Sequence, residues 1–202
     1  MTCGYPWEQI AGVDEVGRGA LFGPVVAAAV ILPETAMTAL TVAGVTDSKK
    51  LSAARRQQLA GQIRDLALDC QIGSASVGEI DRLNILQASL LAMKRAIRKL
   101  QVTPHLCLID GNQLIPDLGL PQQTLVKGDQ QSLVIGAASI IAKVWRDRLL
   151  EQLALKYPHY DLAANRGYGS SRHHLALQEW GISPLHRRSF RPCQVQQPQG
   201  DE

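Results

Sequence analysis

The fold class predicted for this 202-residue chain is an α/β sandwich, a mixed sheet flanked by helices. Two features predict it: three early apolar runs of strand length, then an alternation of helical and strand patterns. A third observation keeps the fold to one domain. No repeat and no linker-like stretch divides the chain, and a chain of this length buries enough apolar surface to fold without disulfides.

In order, residues 9–13 are a short, mostly apolar run ending in Asp14 and Glu15 and read as a strand. Gly17 and Gly19 mark a tight turn. Residues 25–32, rich in Val, Ile and Ala, read as a buried strand paired with the first as a hairpin. After a loop, Ser52 is placed to cap a helix through about Ala67, with Leu59, Ile63 and Leu66 on its apolar face. Residues 70–77 read as a third strand. A helix over 84–100 follows, because Leu86, Leu90, Met93, Ile97 and Leu100 repeat at spacings of about four and three. Residues 106–110 and 124–127 are two more short strands, the first closed by Asp110 and the second followed by Gly128-Asp129. The pattern is helical from Ser132 to about Lys156 and apolar on every side over 134–142, so that part is expected to be buried. A last helix covers 171–180. The domain is expected to end near residue 190, with 191–202 a polar, Gln-rich, disordered tail.

Composition excludes several classes. The chain is 46% hydrophobic and 19% charged with a net charge of +3, which permits nucleic-acid binding without demanding it. The four cysteines lie far apart, with no spacing suited to a zinc site or a disulfide framework, so free thiols are expected. The first residues lack the pattern of a signal peptide. The longest apolar run, 20–32, is broken by Gly23-Pro24 and is shorter than the ~20 residues needed to span a bilayer. A cytoplasmic location and no membrane contact are the expectations. Positive charge gathers at Lys49-Lys50, at Arg55-Arg56 and over 186–191. Such runs are ordinarily solvated surface, and that is the reading kept for them.

The acids carry the chemistry. Asp14, Glu15, Asp110 and Asp129 all follow apolar strand runs, and strand ends are where a sheet gathers groups from distant positions into one site. Converging carboxylates repel one another and invite hard divalent ions such as Mg²⁺ or Mn²⁺. Such a cluster suits two-metal phosphodiester hydrolysis. Taken singly, each acid could equally be a turn or capping residue, and spacing alone does not exclude Asp47 or Asp81.

The run Gly12-Val13-Asp14-Glu15-Val16-Gly17-Arg18-Gly19, with Gly23-Pro24-Val25-Val26-Ala27-Ala28 after it, resembles the opening signature of ribonuclease HII. Further blocks match in the same order: Asp47-Ser48-Lys49-Lys50-Leu51, Glu79-Ile80-Asp81 with Asn84-Ile85-Leu86, Ile109-Asp110-Gly111-Asn112, and Lys127-Gly128-Asp129. Ala138-Ser139-Ile140-Ile141-Ala142-Lys143-Val144 with Arg146-Asp147, and Gly167-Tyr168-Gly169, complete the set. The resemblance spans roughly 10–190. It implies a ribonuclease H-like fold with a C-terminal helical extension, two Mn²⁺ or Mg²⁺ ions, and Asp14, Glu15, Asp110 and Asp129 as the metal-binding catalytic acids. It also implies an endoribonuclease that cuts the RNA strand of RNA:DNA hybrids. Single ribonucleotides in duplex DNA would be cut on their 5′ side, leaving 3′-hydroxyl and 5′-phosphate ends.

A ribonucleotide differs from a deoxyribonucleotide by its 2′-OH, so a discriminating enzyme must read that group. Glycines let backbone amides approach a sugar-phosphate closely, and by resemblance Gly17, Arg18 and Gly19 do so. Tyr168 corresponds to a family tyrosine that stacks on the next sugar and would clash with a second 2′-OH there. Lys49, Asn84 and Ser132 are further candidates for phosphate contacts. Lys143 and Arg146 read either as site residues or as structural partners of Asp147. The extra N-terminal domain of type HIII relatives and a clamp-binding peptide in the tail are not expected, and the protein is expected to be a monomer. Two alternatives stay open: a catalytically silent hybrid-binding module, and a nuclease of the same fold indifferent to the sugar.

Overall fold

The computed structural model of the protein describes residues 4–45 and 51–194. A short 3-10 turn, Trp7–Gln9, leads into β1 (Ile10–Val16), β2 (Val25–Ile31), α1 (Glu34–Val42), α2 (Ala53–Leu66) and β3 (Asp69–Ala75). Then come α3 (Val77–Leu83), α4 (Ile85–Arg98), β4 (Leu106–Asp110), β5 (Gln122–Leu125), α5 (Gly128–Gln131) and α6 (Leu133–Lys156). Past a 3-10 turn at Pro158–Tyr160 lie α7 (Leu162–Asn165) and α8 (Ser171–Trp180). No helix of the described residues is long and apolar enough to cross a membrane.

The five strands form one sheet in the order β3-β2-β1-β4-β5. β1 and β2 form the expected antiparallel hairpin, with Ala11 opposite Ile31 and Val16 opposite Val26. β4 runs parallel to β1, and β5 parallel to β4, so the sheet is mixed. Strand alternation divides the core. Ile10, Ala28, Val30 and Leu108 pack against α6 and α2, through Val134, Ala138, Leu59 and Ile63 among others. Ala11, Val13, Ala27, Ala29 and Ile31 pack against α4, through Ala88, Ala92, Met93 and Ala96. The α6 helix lies very close to β1 because Gly12 faces it. A Cβ there would sit 2.2 Å from the carbonyl carbon of Val134, a main-chain contact that no rotamer can relieve.

Local sequence explains four of the eight helix starts among the described residues, those of α2, α3, α4 and α8. The Ser52 hydroxyl accepts from the Arg55 N–H at 3.2 Å, as expected of a cap. Ser76 and Glu79 form a reciprocal capping box that starts α3. The strand pattern read over 70–77 runs into that helix, which the alternation alone does not reveal. The α1 helix also escapes the sequence reading. Its cap, Pro33, makes no side-chain bond, and its first N–H is instead satisfied by Glu8 Oε1, 26 residues away.

Three further expectations are corrected. Asp14 and Glu15 do not follow the first strand but lie inside it, opposite Ala28 and Ala27. The pairing continues because the small alanines leave room beside the carboxylates. The charged run at 186–191 is not all surface: His186 and Arg187 are fully buried against the segment after the Gly17–Gly19 turn. The packed chain also continues past residue 190, because Arg191–Cys193 forms a 3-10 helix whose Cys193 is buried. Residues 195–202, the rest of the expected tail, lie outside the described residues. Cys70, Cys107 and Cys193 are free thiols.

Candidate active site

The parallel pairing of β1 and β4 ends at Val13 and Ile109. The next residues on these strands are Asp14 and Asp110, which therefore stand side by side at the same sheet end. Carboxylate oxygens of Asp14, Glu15 and Asp110 lie within 4.8 Å of one another. Consecutive residues on a strand normally point to opposite faces. Here the Glu15 N–H donates to Asp14 Oδ1 at 2.7 Å, holding that carboxylate against its own main chain, and the Glu15 carboxylate still comes within the same 4.8 Å group.

Asp129 enters by another route. Lys127 takes a left-handed conformation, φ 56°, at the start of α5. This turns the chain so that the Gly128 N–H donates to Asp110 Oδ1 at 2.7 Å. Asp129, 2% exposed, follows directly. It is not part of the group within 4.8 Å, and the chain's tie to that group here is the Gly128 N–H bonded to Asp110.

Electrostatics mark this cluster as strained. Asp14 is 5% exposed, and burial raises its carboxyl well above the usual range. The charges of Glu15 and Asp110 raise it further, against a hydrogen bond from Ser139. Glu15 is raised by burial too, opposed chiefly by Arg18, whose Nη1 lies 3.2 Å from Glu15 Oε1. Crowded, desolvated, oxygen-only donors are what a hard divalent cation relieves, so the donor set fits Mg²⁺ or Mn²⁺.

These acids floor a cleft of about 310 Å³ whose walls include Gly17, Arg18, Gly19, Ser139, Lys143 and Tyr168. A second cleft of about 200 Å³ shares Glu15, Arg18 and Asp110 with it and extends past Ser89 of α4 and Asn112. The two adjoin across the sheet end, giving an open groove rather than a closed small-molecule pocket.

The Gly17–Gly19 turn has a direct structural cause. Gly17 has φ +90°, and a Cβ on it would lie 2.3 Å from Arg146 Nε, so the guanidinium of α6 fills the place a side chain would take. That guanidinium, 0% exposed, does not pair with Asp147 as one reading of the sequence has it. It donates to the carbonyls of Pro24, Arg166 and Phe22 at 3.1, 2.8 and 3.0 Å. Arg187, equally buried, donates to the carbonyls of Gly23 and Arg18 at 3.0 and 2.8 Å. Burial, then the charge of Arg146, brings its pKa down to about 9. Arg146 thus ties the 17–24 segment to the loop before Tyr168, Arg187 ties that segment to its own C-terminal stretch, and both place positive charge behind the cleft.

Tyr168 is 38% exposed. Its main chain bridges to Ala20, and Arg146 sits 5.6 Å from its ring centroid. The ring borders Gly19 closely enough that a Cβ there would touch it at 4.0 Å.

The remaining sequence candidates lie elsewhere. Asn84 caps α4, its Oδ1 accepting from the Gln87 N–H at 3.1 Å, and Ser132 is buried at the start of α6. Neither lines the cleft. Lys49 and Asp47 lie outside the described residues. Asp81 binds the main-chain N–H groups of Arg188 and Ser189, which holds the C-terminal segment rather than building the site. Ser139 is the cleft residue of α6 that the sequence reading does not single out beside Lys143 and Arg146. The spacing of four and three from Ser139 through Lys143 to Arg146, starting in the apolar first half of the helix, is the signal that marks one polar stripe.

A family model described as Ribonuclease HII matches residues 11–193. The chain is 66% identical over 186 residues to a ribonuclease HII of Nostoc sp., covering 92% of this chain and 83% of that protein. It is 64% identical over 188 residues to a ribonuclease HII of Acaryochloris marina, covering 93% and 95% respectively. Among solved structures, the ribonuclease H2 from Pyrococcus horikoshii superposes with a TM-score of 0.79 at 30% identity, covering 92% of this chain and 95% of that one.

Proposed function

This chain belongs to the ribonuclease HII family of endonucleolytic ribonucleases, and from that membership we propose that it cuts the RNA strand of RNA:DNA hybrids and the 5′ side of single ribonucleotides in duplex DNA. The observation that carries the reading is the meeting of Asp14, Glu15 and Asp110 within 4.8 Å in the cleft that Gly17, Arg18, Gly19 and Tyr168 also line. A bare acidic cluster would suit any nuclease of this fold. The neighbouring turn and ring make it a site that reads the sugar before the acids act on the phosphate.

Asp14, Glu15 and Asp110, together with Asp129, whose neighbour Gly128 bonds Asp110, are the residues that would hold the metal. When bound, two Mg²⁺ or Mn²⁺ ions supply activation of the attacking water and stabilisation of charge on the leaving 3′ oxygen. The chain's own residues do the rest. Asp14 and Asp110 are fixed by the sheet, and Asp110 also anchors the Gly128 amide, so the donors are oriented before substrate arrives. The Gly17–Gly19 turn offers main-chain groups unshielded by side chains, where a 2′-OH can be hydrogen-bonded. The exposed Arg18 reaches toward phosphate, and the Tyr168 ring offers a face to the following sugar, where a second 2′-OH would collide. The buried charges of Arg146 and Arg187 draw the backbone toward the cleft. Cleavage leaves 3′-hydroxyl and 5′-phosphate ends. The setting we assign is cytoplasmic removal of ribonucleotides from DNA by a monomer.

The test is cleavage, with Mg²⁺ or Mn²⁺, of a DNA duplex carrying one ribonucleotide, beside an all-DNA duplex and a continuous hybrid. Cutting only where ribose is present is expected. Equal cutting of the all-DNA duplex would sink the sugar-reading claim. Binding without cutting of any ribose-containing substrate would favour a silent hybrid-binding module.

A further inference from the structure

Behind Tyr168 lies a buried pair of histidines for which the chemistry above has no use. His173, in the first turn of α8, is 0% exposed, and His186 is 1% exposed. Their Nε2 atoms are 3.0 Å apart. Tyr160 and Phe22 pack on the His186 ring, at centroid distances of 4.6 and 5.0 Å.

The outer partners leave one protonation pattern. His173 Nδ1 lies 2.9 Å from the carbonyl oxygen of Tyr168. A carbonyl only accepts, so Nδ1 carries the proton. His186 Nδ1 accepts from the Ser183 N–H at 2.9 Å and faces the Ser183 hydroxyl at 3.0 Å, so that nitrogen carries none. The remaining proton of His186 is then on Nε2, donated to the bare Nε2 of His173. The chain of donors runs in one direction, from Ser183 through His186 and His173 to the Tyr168 carbonyl. Both rings are neutral, and their burial agrees with this by lowering both pKa values.

Both ends of this chain meet the segment that carries the sugar-reading turn. His186 bridges to Phe22 through its main chain, Gly23 N–H donates to the Leu185 carbonyl at 2.9 Å, and Arg187 N–H donates to the Leu21 carbonyl at 2.9 Å. At the other end, Leu21 N–H donates to the Gly167 carbonyl at 2.8 Å, and the Tyr168 carbonyl also accepts from Ser170 N–H at 2.9 Å.

We infer that His173 and His186 are positioning residues for Tyr168, a one-way relay of neutral imidazoles that fixes the tyrosine main chain, and with it the ring, beside the Gly17–Gly19 turn. The relay closes a triangle of 20–23, 167–168 and 183–187, so that the ring and turn stand at a set separation. This inference rests on the reading of Tyr168 as the ring that senses the second sugar. The pair touches neither substrate nor the carboxylates. Its effect should fall on the choice between substrates rather than on the cleavage step.

The test has one arm that needs no variant and no substrate. Long-range ¹H–¹⁵N spectra at pH 7 should show His173 protonated on Nδ1 alone and His186 on Nε2 alone; any other tautomer overturns the relay. The second arm compares His173→Asn, whose amide nitrogen takes the place of Nδ1, with His173→Gln, which keeps a group at Nε2 and loses Nδ1. His173→Gln should displace the Tyr168 ring and amide resonances. It should also lower the preference for a single-ribonucleotide duplex over a continuous hybrid by about tenfold, the effect of about one hydrogen bond. His173→Asn should keep both near wild type. Unmoved Tyr168 resonances in His173→Gln, or an equal loss on both substrates, would reduce the pair to fold maintenance. The reading of Tyr168 fails separately: if Tyr168→Ala leaves the preference unchanged while His173→Gln still moves the tyrosine resonances, the positioning stands and the sugar-sensing role does not.

Discussion

The carboxylate side of the cleft hangs on the main-chain ladder of a sheet, whereas the sugar-facing side hangs on side chains that reach main-chain carbonyls. Asp14 and Asp110 are neighbours because β1 and β4 pair in parallel from Ile10–Leu106 to Val13–Ile109. The Gly17–Gly19 turn and Tyr168 are held beside each other by a single short main-chain bridge, Ala20 to Tyr168, and by Arg146 and Arg187, which bond to four carbonyls of the 18–24 segment and to that of Arg166. A ladder of repeated bonds survives the loss of any one side chain. A tie through one guanidinium does not, because its removal strands several buried acceptors at once. The two sides should therefore fail in different ways: chemistry lost without fold on the first, fold and specificity lost together on the second.

The largest expected effect is on activity at the carboxylate side. Asp14→Asn should abolish cleavage while leaving duplex binding largely intact. It also removes a buried charge crowded by Glu15 and Asp110, so the metal-free protein should melt higher. A gain of about 1 kcal/mol corresponds to ~2–4 °C in a chain of this size. Cleavage assays and thermal unfolding check both halves, and retained activity would refute the assignment of Asp14.

Next comes Arg146→Met, which keeps much of the volume but strands the carbonyls of Phe22, Pro24 and Arg166. A loss of about 3 kcal/mol or more in urea unfolding is expected, together with reduced preference for ribose-containing substrate. A stable variant with normal discrimination would mean that the loops hold themselves. Gly12→Ala then tests the ladder side by its weakest point. Its Cβ would meet the Val134 main chain, and about 1–3 kcal/mol should be lost, with the substrate preference of the surviving folded fraction unchanged. A shift in that preference would show that α6 couples the two sides more tightly than the contacts imply.

The smallest effects separate by pH. The folded pKa of His186 is lowered to about 4 by burial, then by His173. The unfolded chain therefore takes up the proton first as pH falls below about 6.5. Stability from the histidine pair is fully present above that value and is lost progressively down to about pH 4. Glu79, in the first turn of α3, is lowered to about 2 chiefly by the hydrogen bonds it accepts from Arg95 and Ser76. Its contribution is present above the ordinary carboxylate value of about 4.5 and disappears only as pH falls toward 2. Glu79 and Arg95 are both partly exposed, so this second loss should be small. Asp14 and Glu15, whose folded pKa values are raised, act in the opposite sense as pH falls, so the histidine contribution is read as a difference. The gap in thermal midpoint between the protein and a His186→Leu variant, measured from pH 8 to 3, should change between about pH 6.5 and 4 and level off below that.

Much of the ladder side is legible in the amino-acid sequence alone. The continuous apolar run of 25–32, buried on both faces of its strand, and the stripe of Leu86, Leu90, Met93 and Ile97 name their elements, because burial writes a run or a period into the chain. The acids at the ends of the first and fourth strands are visible for the same reason. The position of Asp14 and Glu15 inside β1 is not, since the pairing with Ala27 and Ala28 depends on the small size of residues on another strand. The α1 helix is hidden because its missing cap is made good by Glu8 from far away.

Arg187 and His186 show why the other side is harder to read. In sequence they belong to a run of positive charge, and charge runs are ordinarily solvated. In the fold they are buried, because their partners are carbonyls and a neighbouring imidazole, and a carbonyl is present at every residue and so leaves no mark in composition or spacing. What the sequence determined by itself was the sheet-forming pattern, the acids that close its apolar runs, and the glycines able to line a backbone-reading turn. Only the tertiary structure decided that β4 lies parallel beside β1, bringing Asp110 to Asp14, and that two guanidiniums and two neutral imidazoles tie the turn to Tyr168. The first kind of information is local and periodic, whereas the second depends on main-chain acceptors whose positions exist only once the chain has folded.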